Sequence, residues 1–93
     1  MKVPELERQL KVLANRRRLA ILNILRKKNE MNVGDIADAI KLSLTSTSKH
    51  LLMLERAGFA EKEQKSLQVF YHIAPDMPKI LGHVFALLSN SRE

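Results

Sequence analysis

One short segment of the chain places hydroxyl side chains and cations together on one helical face. If residues 44–57 form a helix, the positions spaced i, i+3, i+4, i+7 and i+11 lie on one side: Thr45, Ser48, Lys49, Leu52 and Arg56. Small hydroxyl side chains let a helix approach base edges and phosphates closely, and a lysine can reach a guanine acceptor or a phosphate. The pattern favours contact with DNA, although a serine- and threonine-rich segment can also serve only to cap a helix.

The overall charge agrees with a polyanionic partner. The 93 residues contain 16 lysines and arginines against 10 aspartates and glutamates, a formal net charge of +6. The absence of cysteine excludes disulfides, thiolate zinc sites and thiol redox chemistry. No apolar run reaches the roughly 18–20 residues that cross a bilayer, and the first residues lack the apolar stretch of a signal peptide. We therefore expect a cytoplasmic protein with no membrane partner.

Hydrophobic periodicity predicts a single domain over residues 1–93, mainly α with a small β-hairpin. The predicted architecture is a winged helix-turn-helix with five helices and a two-stranded wing. The two strands are expected at residues 60–64 and 67–73, joined by a tight turn at Lys65 and Ser66. The helices are expected, in order, at about residues 3–14, 16–28, 33–40, 44–57 and 77–89.

Residues that begin or end helices support these boundaries. Asn15, Asn32 and Ser43 precede the second, third and fourth helices, and their side chains suit the N-cap position. Gly58 follows the fourth helix at the position where a left-handed conformation is usually required. Asp76 is the predicted cap of the last helix, with prolines in or near its first turn.

The first and last helices carry apolar stripes that a domain of this size has little core to cover. Pairing the helices at 3–14 and 77–89 across a twofold axis would bury both stripes, which predicts a homodimer. The alternative is that both stripes close on the core of their own chain. The predicted dimer contacts are Leu6, Leu10, Leu81, Val84, Phe85 and Leu88.

Two segments and one strand carry a resemblance to a known family. Leu13 to Leu25 (LANRRRLAILNIL), Leu42 to Ala60 (LSLTSTSKHLLMLERAGFA) and the strand that ends at Val69 to Ile73 resemble the ArsR/SmtB family of winged-helix repressors. The resemblance covers roughly residues 6–88, and the pattern from Ser48 to Gly58 is its most specific part. It implies a homodimer that binds an inverted repeat in double-stranded DNA near a promoter and is released by an inducer, which here is unknown.

The predicted function is thus sequence-specific DNA binding by a transcription regulator, a homodimeric repressor. The fourth helix would read bases, while the wing tip would touch the backbone or the minor groove. Wing contacts are expected to be weak because Glu61 and Glu63 dilute the charge there. The predicted DNA contacts are Lys41, Thr45, Ser46, Ser48, Lys49, Arg56, Gln64 and Lys65.

The resemblance does not extend to metal sensing. Many relatives bind metal through a cysteine motif on the third helix, but residues 31–35 read MNVGD. On the last helix, Asp76 and His83 could supply two ligands, but Ala86 stands where the next ligand should be, and zinc usually takes four. We predict no metal and no cofactor. We predict no enzyme activity either, because the chain has no phosphate loop, no paired acids and no Ser-His-acid set.

Several other residues are expected to be structural. Arg18 lies within the apolar arc of the second helix, so it should pair with a carboxylate (Asp35, Asp38 or Glu55) unless it meets a phosphate. His50 is expected to be half-buried and His72 to face outward. Of the neighbouring aromatic residues Phe70 and Tyr71, one should lie in the core.

A protein-interaction module is the competing hypothesis. Apolar residues are unusual on a helix face that reads DNA, and this helix carries three that could dock a partner protein instead: Leu44, Leu52 and Met53.

Overall fold

The structure, a computed structural model that describes residues 1–89, follows the predicted order of helices closely. Five helices and three strands lie in the described part of the chain. In order, they are α1 (Val3–Leu13), α2 (Arg16–Lys28), β1 (Glu30–Asn32), α3 (Val33–Ile40), α4 (Leu44–Arg56), β2 (Ala60–Lys65), β3 (Gln68–Ile73) and α5 (Lys79–Ser89).

The three predicted N-caps at α2, α3 and α4 are confirmed. The Asn15 side chain accepts hydrogen bonds from the amides of Arg17 and Arg18, at 2.9 and 3.1 Å. The Asn32 and Ser43 side chains each accept one amide three residues on, at 2.7 and 3.1 Å. These bonds satisfy N–H groups that a helix cannot pair internally. At the other end of α4, Gly58 takes the expected left-handed conformation with φ of +81°.

The sheet corrects the predicted two-stranded wing. Its strand order is β1-β3-β2, all antiparallel, so β1 adds a third strand beside the hairpin. A strand of three residues is too short to show an alternating pattern, and β1 runs directly into the cap of α3. The hairpin turn also lies one residue later than predicted, at Ser66 and Leu67, because Lys65 pairs with Gln68. Ser66 supplies the positive φ of the turn, +57°.

The last helix begins two residues later than predicted, and Asp76 is not its cap. Pro75 and Asp76 form a turn, closed by the Met77 amide donating to the Ala74 carbonyl at 3.1 Å, and α5 starts at Lys79. The residue before a proline is disfavoured in the helical conformation. Because Met77 precedes Pro78, the helix starts only after that proline.

The core lies between α2, α3, α4, the sheet and the inner side of α5. Tyr71 belongs to this core with 7% exposure, whereas Phe70 is half-buried, which confirms that one of the two aromatic residues is internal. Among residues 1–89, no helix combines the length and apolarity that crossing a membrane requires. The largest fully buried side chains are Phe59, Ile21, Leu22, Leu25, Ile36, Leu51, Leu54, Leu81 and Thr47.

Candidate nucleic-acid interface

The turn between α3 and α4 is set by backbone hydrogen bonds. Lys41 ends α3 in the left-handed conformation, with φ of +56°. Its amide donates to the Asp38 carbonyl at 3.3 Å, and the Leu42 amide donates to the Ala37 carbonyl at 3.0 Å. These bonds satisfy the last carbonyls of α3 and redirect the chain into α4. The side chain of Lys41 is exposed at the corner.

Helix α4 divides into a core face and a solvent face, as predicted. Thr47, Leu51 and Leu54 are buried, and His50 and Ala57 are half-buried beside them. The opposite face carries the five residues named from the sequence, and all five are exposed: Thr45, Ser48, Lys49, Leu52 and Arg56. The division of faces is confirmed, whereas the contact of these residues with DNA stays a prediction.

The polar part of the exposed face is free to meet a ligand. Within residues 1–89, the side chains of Thr45, Ser48 and Lys49 make no hydrogen bond or ion pair with the rest of the protein. Ser46, another predicted contact, is half-buried, and its amide is already bonded to the Ser43 cap. Thr45, Ser48 and Lys49 therefore form a group of free polar side chains in the first half of the exposed face of α4.

The wing tip offers less free charge than its sequence implies. Lys65 Nζ lies 2.6 Å from Glu30 Oε1 and 5.5 Å from the centre of the Phe70 ring. The hydrogen bond that Lys65 donates to Glu30 raises the pKa of Lys65 above its ordinary value. Gln64 is also engaged, donating to the Ser66 carbonyl at 3.5 Å. Sequence reasoning missed the ion pair because Glu30 belongs to the strand that was not predicted.

Arg56 lies apart from Thr45, near the other end of α4. It lines a groove of about 490 Å³ between α4 and α1. Arg8 and Glu5 line the same groove from α1, and its apolar part includes Val12 and Met53. The structure therefore places Arg56 on the exposed face of α4, as predicted, where it also borders the groove shared with α1.

The predicted carboxylate partner of Arg18 is wrong. The guanidinium donates to the backbone carbonyls of Lys11 and Val12, and its Nη1 lies 3.3 Å from His50 Nδ1 and 3.4 Å from Met53 Sδ. Carbonyls at the end of α1 replace a carboxylate because they carry the negative end of the helix dipole. Periodicity gives no sign of this arrangement, since it depends on how α1 meets α2.

The apolar stripes of the terminal helices remain partly uncovered. Leu6 and Leu10 on α1 are 38% and 46% exposed, and Leu87 on α5 is 75% exposed. The stripe of α1 thus closes on its own core only at its end, where Leu13 is 4% exposed. Leu81 is fully buried inside the protomer, so its assignment to a dimer surface is wrong. The half-buried residues of α5 are the remaining predicted contacts: Val84, Phe85 and Leu88.

Two of the three histidines, His50 and His72, contact other side chains. His50 is half-buried, as expected. His72 is half-buried as well, rather than facing fully outward, and its Nε2 lies 3.3 Å from Glu61 Oε1. Within residues 1–89, no three histidine, aspartate or glutamate side chains are grouped as metal ligands would be. His83 and Asp76 thus have no third ligand beside them in that part of the chain.

Two helices joined by a short turn, with a β-hairpin directly after the second, define a winged helix-turn-helix domain. Residues 15–62 match the sequence model of the family described as "Bacterial regulatory protein, arsR family". The chain belongs to the ArsR family.

Proteins similar to this chain are named as transcription regulators. It is 38% identical over 65 residues to the transcriptional activator HlyU of Vibrio cholerae, covering 70% of this chain and 59% of that protein. It is 31% identical over 68 residues to the arsenical resistance operon repressor of Escherichia coli, covering 73% and 58%. The chain therefore spans about three fifths of the length of these curated relatives.

A solved structure supports the same fold over nearly the whole chain. The structure is that of the homodimeric winged helix-turn-helix DNA-binding domain of a possible ArsR-family transcriptional regulator from Mycobacterium bovis. The two chains are 32% identical with a TM-score of 0.80, and the match covers 98% of this chain and 84% of the other. The fold predicted from the sequence is confirmed.

Proposed function

We propose that this chain is a homodimeric transcription regulator that binds an inverted repeat in double-stranded DNA and represses transcription. The observation that carries the proposal is the exposed polar edge of α4, formed by Thr45, Ser48 and Lys49, whose side chains make no hydrogen bond or ion pair within residues 1–89. The opposite face of the same helix is anchored in the core by Leu51 and Leu54. A regulator acting on operator DNA would work in the cytoplasm.

Helix α4 would act as the recognition helix in the major groove, with its first turns nearest the bases. Thr45 and Ser48 are short, so the helix backbone can approach the base edges. Lys49 can reach guanine acceptors or a phosphate, and a good base contact contributes about 1–3 kcal/mol of discrimination. The remaining predicted contacts would bind the DNA backbone around the groove: Lys41, Ser46, Arg56, Gln64 and Lys65.

The dimer would form through the terminal helices, α1 and α5. Leu6 and Leu10 of α1 and Leu88 of α5 would be covered in a twofold interface, together with Val84 and Phe85. We add Leu87 to this proposed surface because it is 75% exposed. Apolar side chains that are exposed along one stripe gain free energy when a second copy covers them.

Electrostatic attraction to phosphates should dominate the affinity. If the dimer neutralises about six to ten phosphates, the logarithm of the binding constant should fall with the logarithm of salt concentration with a slope near −5 to −9. An affinity that stays flat between low and moderate salt would contradict this part of the proposal.

The proposal is tested by selecting duplexes from a random DNA library with the full chain. We expect an enriched inverted repeat whose half-site centres are about 34–36 Å apart, or a multiple of that distance. A promoter carrying this repeat should drive less reporter expression when the protein is present. Increased expression would show an activator instead of a repressor.

A protein-interaction module is the second candidate. Leu44, Leu52 and Met53 are 58%, 38% and 42% exposed along α4, and a partner protein could cover them. This candidate gains support only if no sequence is enriched and binding to random duplex is equally weak at all salt concentrations.

A further inference from the structure

A buried arginine connects the two helices that the proposed function assigns to dimerisation and to DNA. Arg18 lies on α2 and is only 8% exposed. Its Nε donates to the Val12 carbonyl and its Nη2 donates to the Lys11 carbonyl at 3.4 Å, both in the last turn of α1. Its Nη1 reaches His50 Nδ1 at 3.3 Å and Met53 Sδ at 3.4 Å, both on α4. One side chain thus contacts α1 and α4 at once.

The chemistry of arginine suits this position. The last carbonyls of a helix have no partner within the helix, and those of Lys11 and Val12 find theirs in Arg18. The guanidinium carries five donors in a fixed plane, so it can serve two helices at different angles. The compact ammonium group of a lysine could not hold both sets of contacts.

Beside Arg18, the groove of about 490 Å³ lies between α1 and α4. Gln9 and Val12 line it from α1, and Met53 and Ala57 line it from α4. Apolar packing between the two helices is therefore incomplete along this stretch. The contacts of Arg18 with both helices consequently have a large share in fixing their relative angle.

We propose that Arg18 is a positioning residue that sets the angle of α4 against α1, and that it does so only while His50 is neutral. The inference rests on the proposed function. In a dimer paired through α1, a change in this angle moves one α4 helix relative to the other. The distance between the two half-sites that the dimer accepts would then change as well.

The protonation state of His50 matters because of the atom that faces Arg18. A neutral imidazole can accept a hydrogen bond at Nδ1, but a protonated one has only donors, and so has a guanidinium. The charges that act on His50 are those of Arg18 and Arg17 of α2. On α1, the Lys11 and Val12 carbonyls contact Arg18, and Glu5 and Arg8 line the groove. Within residues 1–89, neither His50 nor Arg18 forms an ion pair with a carboxylate.

This environment opposes protonation of the imidazole. Burial, and then the charges of Arg18 and Arg17, lower the pKa of His50 below its ordinary value of 6.5. The contact with Arg18 is therefore complete above that value. It weakens as the pH falls and is lost once the pH passes below the lowered pKa of His50.

The test compares operators that differ only in the spacing of their half-sites. The probe is the duplex selected by the wild-type chain, with the spacer lengthened or shortened by one or two base pairs. Arg18→Met removes both sets of contacts, and Arg16→Met is the matched control because Arg16 is exposed on the same helix and carries the same charge. Wild type and Arg16→Met should bind the duplex with the selected spacing roughly tenfold more tightly than duplexes with altered spacing. For Arg18→Met, the difference in affinity should be less than about threefold.

Two substitutions at His50 separate positioning from general stability. Asparagine offers an acceptor that does not titrate, and phenylalanine offers none. The spacing preference of wild type should be full at pH 7.5 and should be lost at a pH below the lowered pKa of His50. His50→Asn should keep the preference at both pH values, and His50→Phe should lack it at both.

Three outcomes would contradict the proposed role of Arg18 or the proposed function. Arg18→Met with an unchanged spacing preference, or His50→Asn with the same decline at low pH as wild type, overturns the inference while leaving DNA binding in place. Failure of wild type to select any duplex overturns the proposed function and the inference with it. If Arg18→Met does not fold, as judged by circular dichroism, Arg18→Lys and His50→Phe provide the same comparison and should both lose the preference.

Discussion

The buried hydroxyl of Thr47 gives a sharp test of how α4 divides its two faces. Thr47 is fully buried, and its Oγ1 has no hydrogen-bond partner within the described residues. A buried hydroxyl without a partner costs about 1–3 kcal/mol. Valine has nearly the same shape and a similar helix propensity, so Thr47→Val removes this cost without a new cavity. The free energy of unfolding should therefore rise by about 1–3 kcal/mol.

Denaturant unfolding at a fixed protein concentration measures this change. The dependence of the free energy of unfolding on denaturant concentration should be the same in wild type and variant. Thr45→Val is the matched control because Thr45 is exposed on the opposite face. It should change stability by less than about 0.5 kcal/mol but weaken binding to the selected duplex. Thr47→Val should leave binding unchanged. A loss of stability in Thr47→Val would show that the hydroxyl has a hydrogen-bond partner. If Thr47→Val weakened DNA binding and Thr45→Val did not, DNA would contact the face of α4 that carries Thr47.

Three further predictions test the wing, the end of α4 and the dimer. Glu30→Gln should free Lys65 for phosphate, so the salt slope of DNA binding should steepen by about 1–2 for the dimer, whereas an unchanged slope would show that Lys65 does not reach DNA. Gly58→Ala should cost about 1–2 kcal/mol of stability in denaturant unfolding because φ is +81°, and no clash should add to this cost because no atom of the described residues lies within 4 Å of the new Cβ; a neutral result would mean that this backbone can relax. Leu10→Asp should shift the chain from dimer to monomer in sedimentation, and an unchanged dimer would remove α1 from the interface.

The features that local sequence determines were predicted well. The caps at Asn15, Asn32 and Ser43 each depend on one side chain and an amide two or three residues away, so their residue types indicate their role. The two faces of α4 follow from helical spacing alone. The end of that helix could be predicted because glycine suits the positive φ found at Gly58.

The features that depend on distant segments were missed. Strand β1 forms only because β3 pairs with it. Three residues are too few to show the alternating hydrophobic pattern that predicts a strand. Consequently the sequence did not predict the ion pair between Glu30 and Lys65. The partner of Arg18 was misjudged for a similar reason, because backbone carbonyls at the end of α1 have no signature in the sequence.

The proposed dimer surface shows a different limit of sequence reasoning. Apolar residues on α5 cover a broad arc, and spacing alone does not tell which part of the arc its own core takes. The core takes Leu81, which is fully buried, and leaves Leu87 75% exposed. Only the packing of α5 against the rest of the protomer shows which of these two residues is buried and which is exposed.

The exposed edge of α4 is expected to read DNA sequence. The most direct test selects duplexes from one random library with wild type and with the triple variant Thr45→Ala, Ser48→Ala, Lys49→Ala, both confirmed as folded. Wild type should enrich an inverted repeat, and the triple variant should bind DNA without enriching it. Enrichment of the same repeat by the triple variant would show that these three side chains do not read the sequence.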